Sequence, residues 1–175
     1  MRPMSRKDVL LESLNKFYAE SDHLAQFTLY TSKKNACVSL RLLDWLVTNY
    51  SKKRNVVLNS SDGKTINMFM EYKAQLKAYS KKFFDPFCRR DRITMTNSHG
   101  DPQETTVGQM NFLRWCMRTG VIDYAIQNRE AIEADMLCVS KLREGKPSVD
   151  GKRQELSVAA IKACTKTFCH VTVKF

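Results

Sequence analysis

Apolar residues recur at helical spacing along this chain, and that pattern constrains the fold more than any other feature of the sequence. Intervals of three or four residues place side chains on one face of a helix. The stretches that follow this rule contain Leu40, Leu43, Leu46, Val47 and Tyr50; Phe69, Tyr72, Leu76 and Tyr79; and Val107, Met110, Leu113 and Met117. We therefore expect amphipathic helices over residues 40–50, over residues 67–80 and from residue 107 onwards.

Capping residues predict where helices begin and end. Ser5 and Asp8 have the spacing of a capping box, which opens a first helix. Thr106 and Gln109 repeat that spacing before the apolar pattern that starts at residue 107. Gly120 suits the left-handed conformation that commonly ends a helix.

The second half of the chain predicts further helices. One follows Gly120 over residues 121–142, so that residues 105–142 form a helical hairpin. Residues 144–151 form a linker-like loop, and residues 154–166 a last helix. Residues 24–31 fit either a short strand or a helical turn.

Turn residues also predict a β-hairpin. Residues 56–58 and 65–66 are apolar or β-branched, and Asp62-Gly63 between them suits a tight turn. Other segments are expected as a strand over residues 87–96, a loop over residues 98–102 and a closing strand over residues 168–175.

Length and composition bound the fold class. The chain has 175 residues, of which 43% are hydrophobic and 27% charged, as in ordinary globular proteins. No apolar run approaches the ~20 residues of a membrane-spanning helix, and no secretory signal is apparent. We expect an α+β fold: a helix-dominated single domain over residues 1–175, with a short hairpin and a C-terminal strand.

The cysteines are scattered rather than paired in a recognisable framework. Reduced, buried thiols are expected in a chain with an ordinary core and no secretory signal. The six positions are Cys37, Cys88, Cys116, Cys138, Cys164 and Cys169.

Positive charge is concentrated in the middle of the chain. The formal net charge is +11, and residues 51–92 hold 11 basic and only 4 acidic side chains. Such a surplus favours an anionic partner. The residues predicted to bind that partner are Lys73, Lys77, Lys81, Lys82, Arg89, Arg90 and Arg92.

Two patterns in this segment bear on binding. Lys73, Lys77 and Lys81 recur every four residues, which predicts a stripe of repelling charges along one helix face. Alternation in a strand would place Arg90 and Arg92 on one face. The interleaved aromatic residues could stack on nucleic-acid bases, but their helical spacing favours a place in the core.

Catalytic and metal-binding motifs are missing from the sequence. It has no phosphate loop, dinucleotide fingerprint, zinc-protease motif or nucleophile elbow. The cluster Cys164, Cys169 and His170 lacks the second ligand pair that structural zinc sites use, so buried thiols are the favoured interpretation. We expect no enzyme activity, no cofactor, no metal and no small-molecule substrate.

Three stretches, residues 72–93, 104–115 and 152–157, together resemble a poorly characterised family of small basic proteins from large nucleocytoplasmic DNA viruses. The most specific part is Asp85-Pro-Phe-Cys-Arg-Arg90. The resemblance covers roughly residues 37–160 and implies a viral context, either in the virus particle or with the genome.

The sequence therefore predicts a non-enzymatic structural protein of a large DNA virus particle, such as a minor capsid or internal shell protein. Its basic segment, residues 51–92, would dock on other virion proteins, on viral DNA or on an inner membrane surface. We expect it in the virion, and in the host cytoplasm during assembly. The alternative is a nucleic-acid-binding protein for genome packaging or viral gene expression.

Overall fold

A computed structural model describes residues 5–32, 37–59, 63, 65–96 and 99–144. The predicted helix over residues 154–166 and the closing strand over residues 168–175 lie outside these residues, as do Cys164, Cys169 and His170.

Helices dominate the described part of the chain, which confirms the predicted α+β class. Their bounds are α1 Arg6–Tyr18, α2 Ser21–Thr31, α3 Leu40–Trp45, α4 Ser51–Arg54, α5 Met68–Phe83, α6 Val107–Thr119, α7 Val121–Gln127 and α8 Arg129–Glu144. A π-helical turn, Leu46–Tyr50, joins α3 to α4. Residues 24–31, which fitted either a short strand or a helical turn, form part of helix α2.

The predicted caps are present. Ser5 and Asp8 form the reciprocal capping box of α1, and the Thr106 hydroxyl accepts the Gln109 backbone N–H at the start of α6. Gly120 ends α6 with φ +74°, in the left-handed region that glycine tolerates best.

Two small antiparallel hairpins interrupt the helices. The first pairs β1 Val57–Asn59 with β2 Thr65–Asn67, in the register Leu58 opposite Ile66, which confirms the predicted hairpin. The second pairs β3 Arg92–Thr96 with β4 Pro102–Thr106.

A continuous hydrophobic core joins the helices. Leu14 of α1, Phe27 of α2, Leu43 of α3 and Phe112 of α6 are fully buried within it. The Tyr18 hydroxyl donates to the Met110 carbonyl oxygen at 2.8 Å, so α1 is held to α6 by both packing and a buried hydrogen bond. The unit containing this core spans residues 1–140, and one domain over residues 1–175 remains a prediction.

Two strand and loop predictions were wrong. The strand predicted over residues 87–96 begins only at Arg92, because Arg89 turns back to bond Asp85. Pro102 belongs to β4 and not to the loop predicted over residues 98–102, since pairing with β3 outweighs the polar composition of this segment.

Two helix predictions also need correction. The single helix predicted over residues 121–142 is divided at Asn128, whose φ of −110° and ψ of 19° are not helical. Helix α5 is broken at Ser80, which has φ 58° and ψ 169°. Lys81 therefore does not continue the stripe of Lys73 and Lys77, because the break changes its direction.

The described residues contain no helix that is both long and apolar enough to cross a membrane.

Candidate anion-binding surface

Lys73 and Lys77 lie one turn apart on α5, and both are exposed. Neither forms an ion pair with a carboxylate of the described residues. The ammonium nitrogens of Lys52 and Lys73 lie 5.9 and 5.8 Å from the centre of the Phe69 ring. This distance allows cation–π attraction, so the Phe69 ring attracts two exposed cations where α4 meets α5.

Lys81 and Lys82 follow the break at Ser80 and are exposed. Lys82 shares a shallow depression at the start of α6 with Lys7 of α1 and Arg90. Asp91 lies 3.9 Å from Lys7 and offsets part of this charge. The structure thus brings together Lys82 and Arg90, and adds a cation from α1.

Arg89 and Arg92 differ from the other predicted residues because each has a carboxylate partner. The Arg89 guanidinium donates to both oxygens of Asp85, at 2.6 and 3.0 Å, and this hydrogen bonding raises the pKa of Arg89. Arg92 pairs with Glu104 at 2.9 Å across the second hairpin. Arg90 precedes β3, so the predicted shared strand face of Arg90 and Arg92 does not form.

A cluster of partly buried polar side chains surrounds the Asp85–Arg89 pair. Asp85 is only 6% exposed. Burial raises the pKa of Asp44, which the nearby Arg89 charge partly opposes. Burial, with the charges of Asp44 and Asp85, also raises the pKa of Tyr72 to about 12. Arg89 therefore compensates the negative charge of the buried Asp85.

The interleaved aromatic residues belong to the core, as their spacing favoured. Tyr72 and Phe84 are buried, and Tyr79 and Phe83 pack against the core. Phe84 makes edge contacts with Phe112 and Trp115 at centroid distances of 5.4 and 5.6 Å. Tyr72 and Phe84 therefore hold α5 against α6, and both are too deeply buried to stack on nucleic-acid bases.

The cysteine prediction was partly wrong. Cys116 is buried, and burial raises the pKa of its thiol well above the usual value. Cys88 is half-buried, but Cys37 and Cys138 are exposed free thiols. Within the described ranges, no three His, Cys, Asp or Glu side chains converge as metal ligands.

An open groove of about 270 Å³ runs between α5 and α6. Helix α5 contributes Glu71, Gln75 and Tyr79 at four-residue spacing, and α6 contributes Arg114 and Arg118 among others. Lys73 and Lys77 lie two positions along α5 from the residues that line the groove, so they occupy a different face of the helix. The groove and the exposed lysines are therefore separate features.

Sequence reasoning missed several basic residues that the fold places at these surfaces. Lys52 belongs to the basic run that ends α4, and that run was the available signal. Lys7 and Arg114 are isolated basic residues with no distinctive local pattern. The spacing of Asp85 and Arg89, four residues apart, could have predicted their ion pair.

The fold and surface define the class: a helix-dominated α+β protein with exposed cations along α5 and near the start of α6. The chain belongs to a family of unknown function (DUF7197), whose model matches residues 3–166. It is similar to an uncharacterized protein of Acanthamoeba polyphaga mimivirus, with 33% identity over 156 residues.

That similarity covers 85% of this chain and 60% of the mimivirus protein, so the chain spans less than two thirds of that relative's length. No solved structure matches the chain. The predicted resemblance to a poorly characterised family from large DNA viruses is confirmed, and viral origin is supported.

Proposed function

We propose that this protein is a non-enzymatic component of a large DNA virus particle that docks on the packaged DNA. The surface that docks is the free-cation set, which comprises the predicted residues without a carboxylate partner among the described residues. Its members are Lys73, Lys77, Lys81, Lys82 and Arg90. Arg89 and Arg92 are left out because Asp85 and Glu104 neutralise them.

The observation that carries this proposal is that no member of the free-cation set forms an ion pair with a carboxylate of the described residues. Glu71, an acidic residue on α5, is hydrogen-bonded to Gln75 and forms no ion pair with these lysines. Like charges one helical turn apart repel by a few tenths of a kcal/mol per pair. A DNA backbone offsets that repulsion and releases counterions on binding.

Local geometry favours nucleic acid over an acidic protein face. Four of the five free cations lie on α5, between Lys73 and Lys82 and on either side of the break at Ser80, so they can contact more than one phosphate. Phe69 is partly exposed between Lys52 and Lys73 and adds an apolar surface beside the charges. If the protein does not bind DNA in the tests below, an acidic protein face or anionic lipid headgroups become the proposed partner.

Quantitative mass spectrometry of purified particles tests the proposal. We expect the protein in particles, and we expect release from opened particles by about 1 M salt, where the screening length is only ~3 Å. Particles carrying K73Q/K77Q should contain less of it than particles carrying K16Q/R129Q. Lys16 and Arg129 are exposed and already paired with Glu12 and Glu133, so this control removes equal charge elsewhere. Absence from purified particles would refute the proposal.

A further inference from the structure

Arg114 is a half-buried cation in the α5–α6 groove that forms no ion pair with a carboxylate of the described residues. Its guanidinium donates instead to two neutral oxygens, Ser13 Oγ at 2.9 Å and Asn111 Oδ1 at 2.8 Å. Burial lowers the pKa of Arg114 because its charged form loses hydration, and the nearby charge of Arg118 lowers it further. Binding of an anion to a partly desolvated cation of this kind is favourable, because the anion compensates the buried charge.

The surroundings hold this guanidinium in a fixed position. Asn111 is buried, and its amide nitrogen donates to the Phe83 carbonyl oxygen at 2.9 Å, which orients its oxygen towards Arg114. Trp115, the next residue, is wedged against Tyr72 and Phe84. Two of the five guanidinium N–H donors are used internally, so the others remain for a ligand.

The other groove residues indicate what kind of anion fits. The partly exposed Tyr79 and the buried Trp115 line the groove, and Arg118 adds a second basic side chain. Glu71, held by Gln75 at 2.9 Å, supplies a carboxylate that can accept hydroxyl groups. A volume of about 270 Å³ lies just below the roughly 300–1,000 Å³ typical of small-molecule sites.

We propose that this groove binds a nucleoside monophosphate, with its phosphate on Arg114. The planar guanidinium matches a phosphate with parallel hydrogen bonds. The partly exposed Tyr79 offers aromatic surface to the base, and Glu71 accepts the sugar hydroxyls. The site binds without catalysing a reaction, and it is independent of DNA docking because it uses no member of the free-cation set.

Calorimetric titration of the full chain with the four common ribonucleoside monophosphates tests this site, with inorganic phosphate titrated separately. We expect saturable binding of at least one nucleotide, more tightly than inorganic phosphate. Arg114→Gln should weaken it about tenfold or more, since a charge-assisted bond is lost. Arg129→Gln, the same change at an exposed position outside the groove, should leave Kd within about twofold.

Fluorescence locates the bound ligand. The chain has two tryptophans, Trp45 and Trp115, so Trp45→Phe leaves Trp115 in the groove wall as the reporter, and its emission should change on binding. If Arg114→Gln does not fold, Arg114→Lys serves instead, because it keeps the charge and should still weaken binding. Equal affinity in the Arg114 and Arg129 variants, no saturable binding, or equal binding of inorganic phosphate would overturn the proposal.

Discussion

Replacing Gly108 with alanine should destabilise the protein, although alanine favours helices more than glycine does. Gly108 lies in the first turn of α6, against the segment that carries Lys82. An added Cβ would lie 3.1 Å from the Lys82 carbonyl oxygen and 3.4 Å from the backbone nitrogens of Phe84 and Asp85. These neighbours are backbone atoms, and the Asp85 N–H also donates to the Gly108 carbonyl oxygen at 3.2 Å.

The magnitude follows from two opposed terms. Alanine gains up to about 1 kcal/mol in helix propensity, while overpacking against atoms that cannot rotate away costs typically about 1–3 kcal/mol. We expect a net loss of about 1 kcal/mol in the free energy of unfolding, measured by urea denaturation. Since this contact positions Lys82, DNA affinity should also fall slightly. A Gly108→Ala variant as stable as the wild type would refute the reasoning.

Two further predictions concern a cap and an ion pair. Thr106→Ala removes the side-chain acceptor of the Gln109 N–H and should cost about 1 kcal/mol in urea denaturation; an unchanged midpoint would contradict this. Burial alone would raise the pKa of Asp135, but hydrogen bonds from Lys53 and Trp45 lower it. The ionised Asp135 carboxylate should therefore stabilise the fold at neutral pH, and this contribution should be lost as pH falls below about 4. In Asp135→Asn, the free energy of unfolding should depend less on pH in this acidic range. An unchanged pH dependence would contradict a stabilising role for this ion pair.

Local signals predicted much of the fold because their causes are local. Ser5, Thr106 and Gly120 act through neighbouring backbone groups, so their positions in the sequence suffice to identify them. The apolar spacing of α3, α5 and α6 likewise reflects one buried face. The hairpin of β1 and β2 followed from its turn residues.

The errors have tertiary causes. Ser80 has a positive φ that its residue type does not favour, and it precedes the segment from Lys82 to Asp85 that packs against Gly108 of α6. Strand β4 forms because β3 pairs with it, despite a proline and polar residues. Neither feature can be inferred from the local sequence alone.

The candidate surface was predicted in part. Charge density identified the right segment, but it could not distinguish the paired Arg92 from the exposed Arg90, because that depends on the register between β3 and β4. Arg114 was missed because its importance comes from Ser13 and Asn111, which the fold brings beside it.

The most direct test of DNA docking is the affinity for labelled duplex DNA measured over 50–200 mM salt, a range in which phosphate contacts lose much of their strength. The account predicts tight binding at low salt that falls steeply with added salt. For K73Q/K77Q, the slope of log K against log salt should be smaller by about 1.8, because two phosphate contacts are lost. K16Q/R129Q should keep the wild-type slope. Weak binding at low salt, or equal slopes for both double variants, would contradict docking on DNA through these lysines.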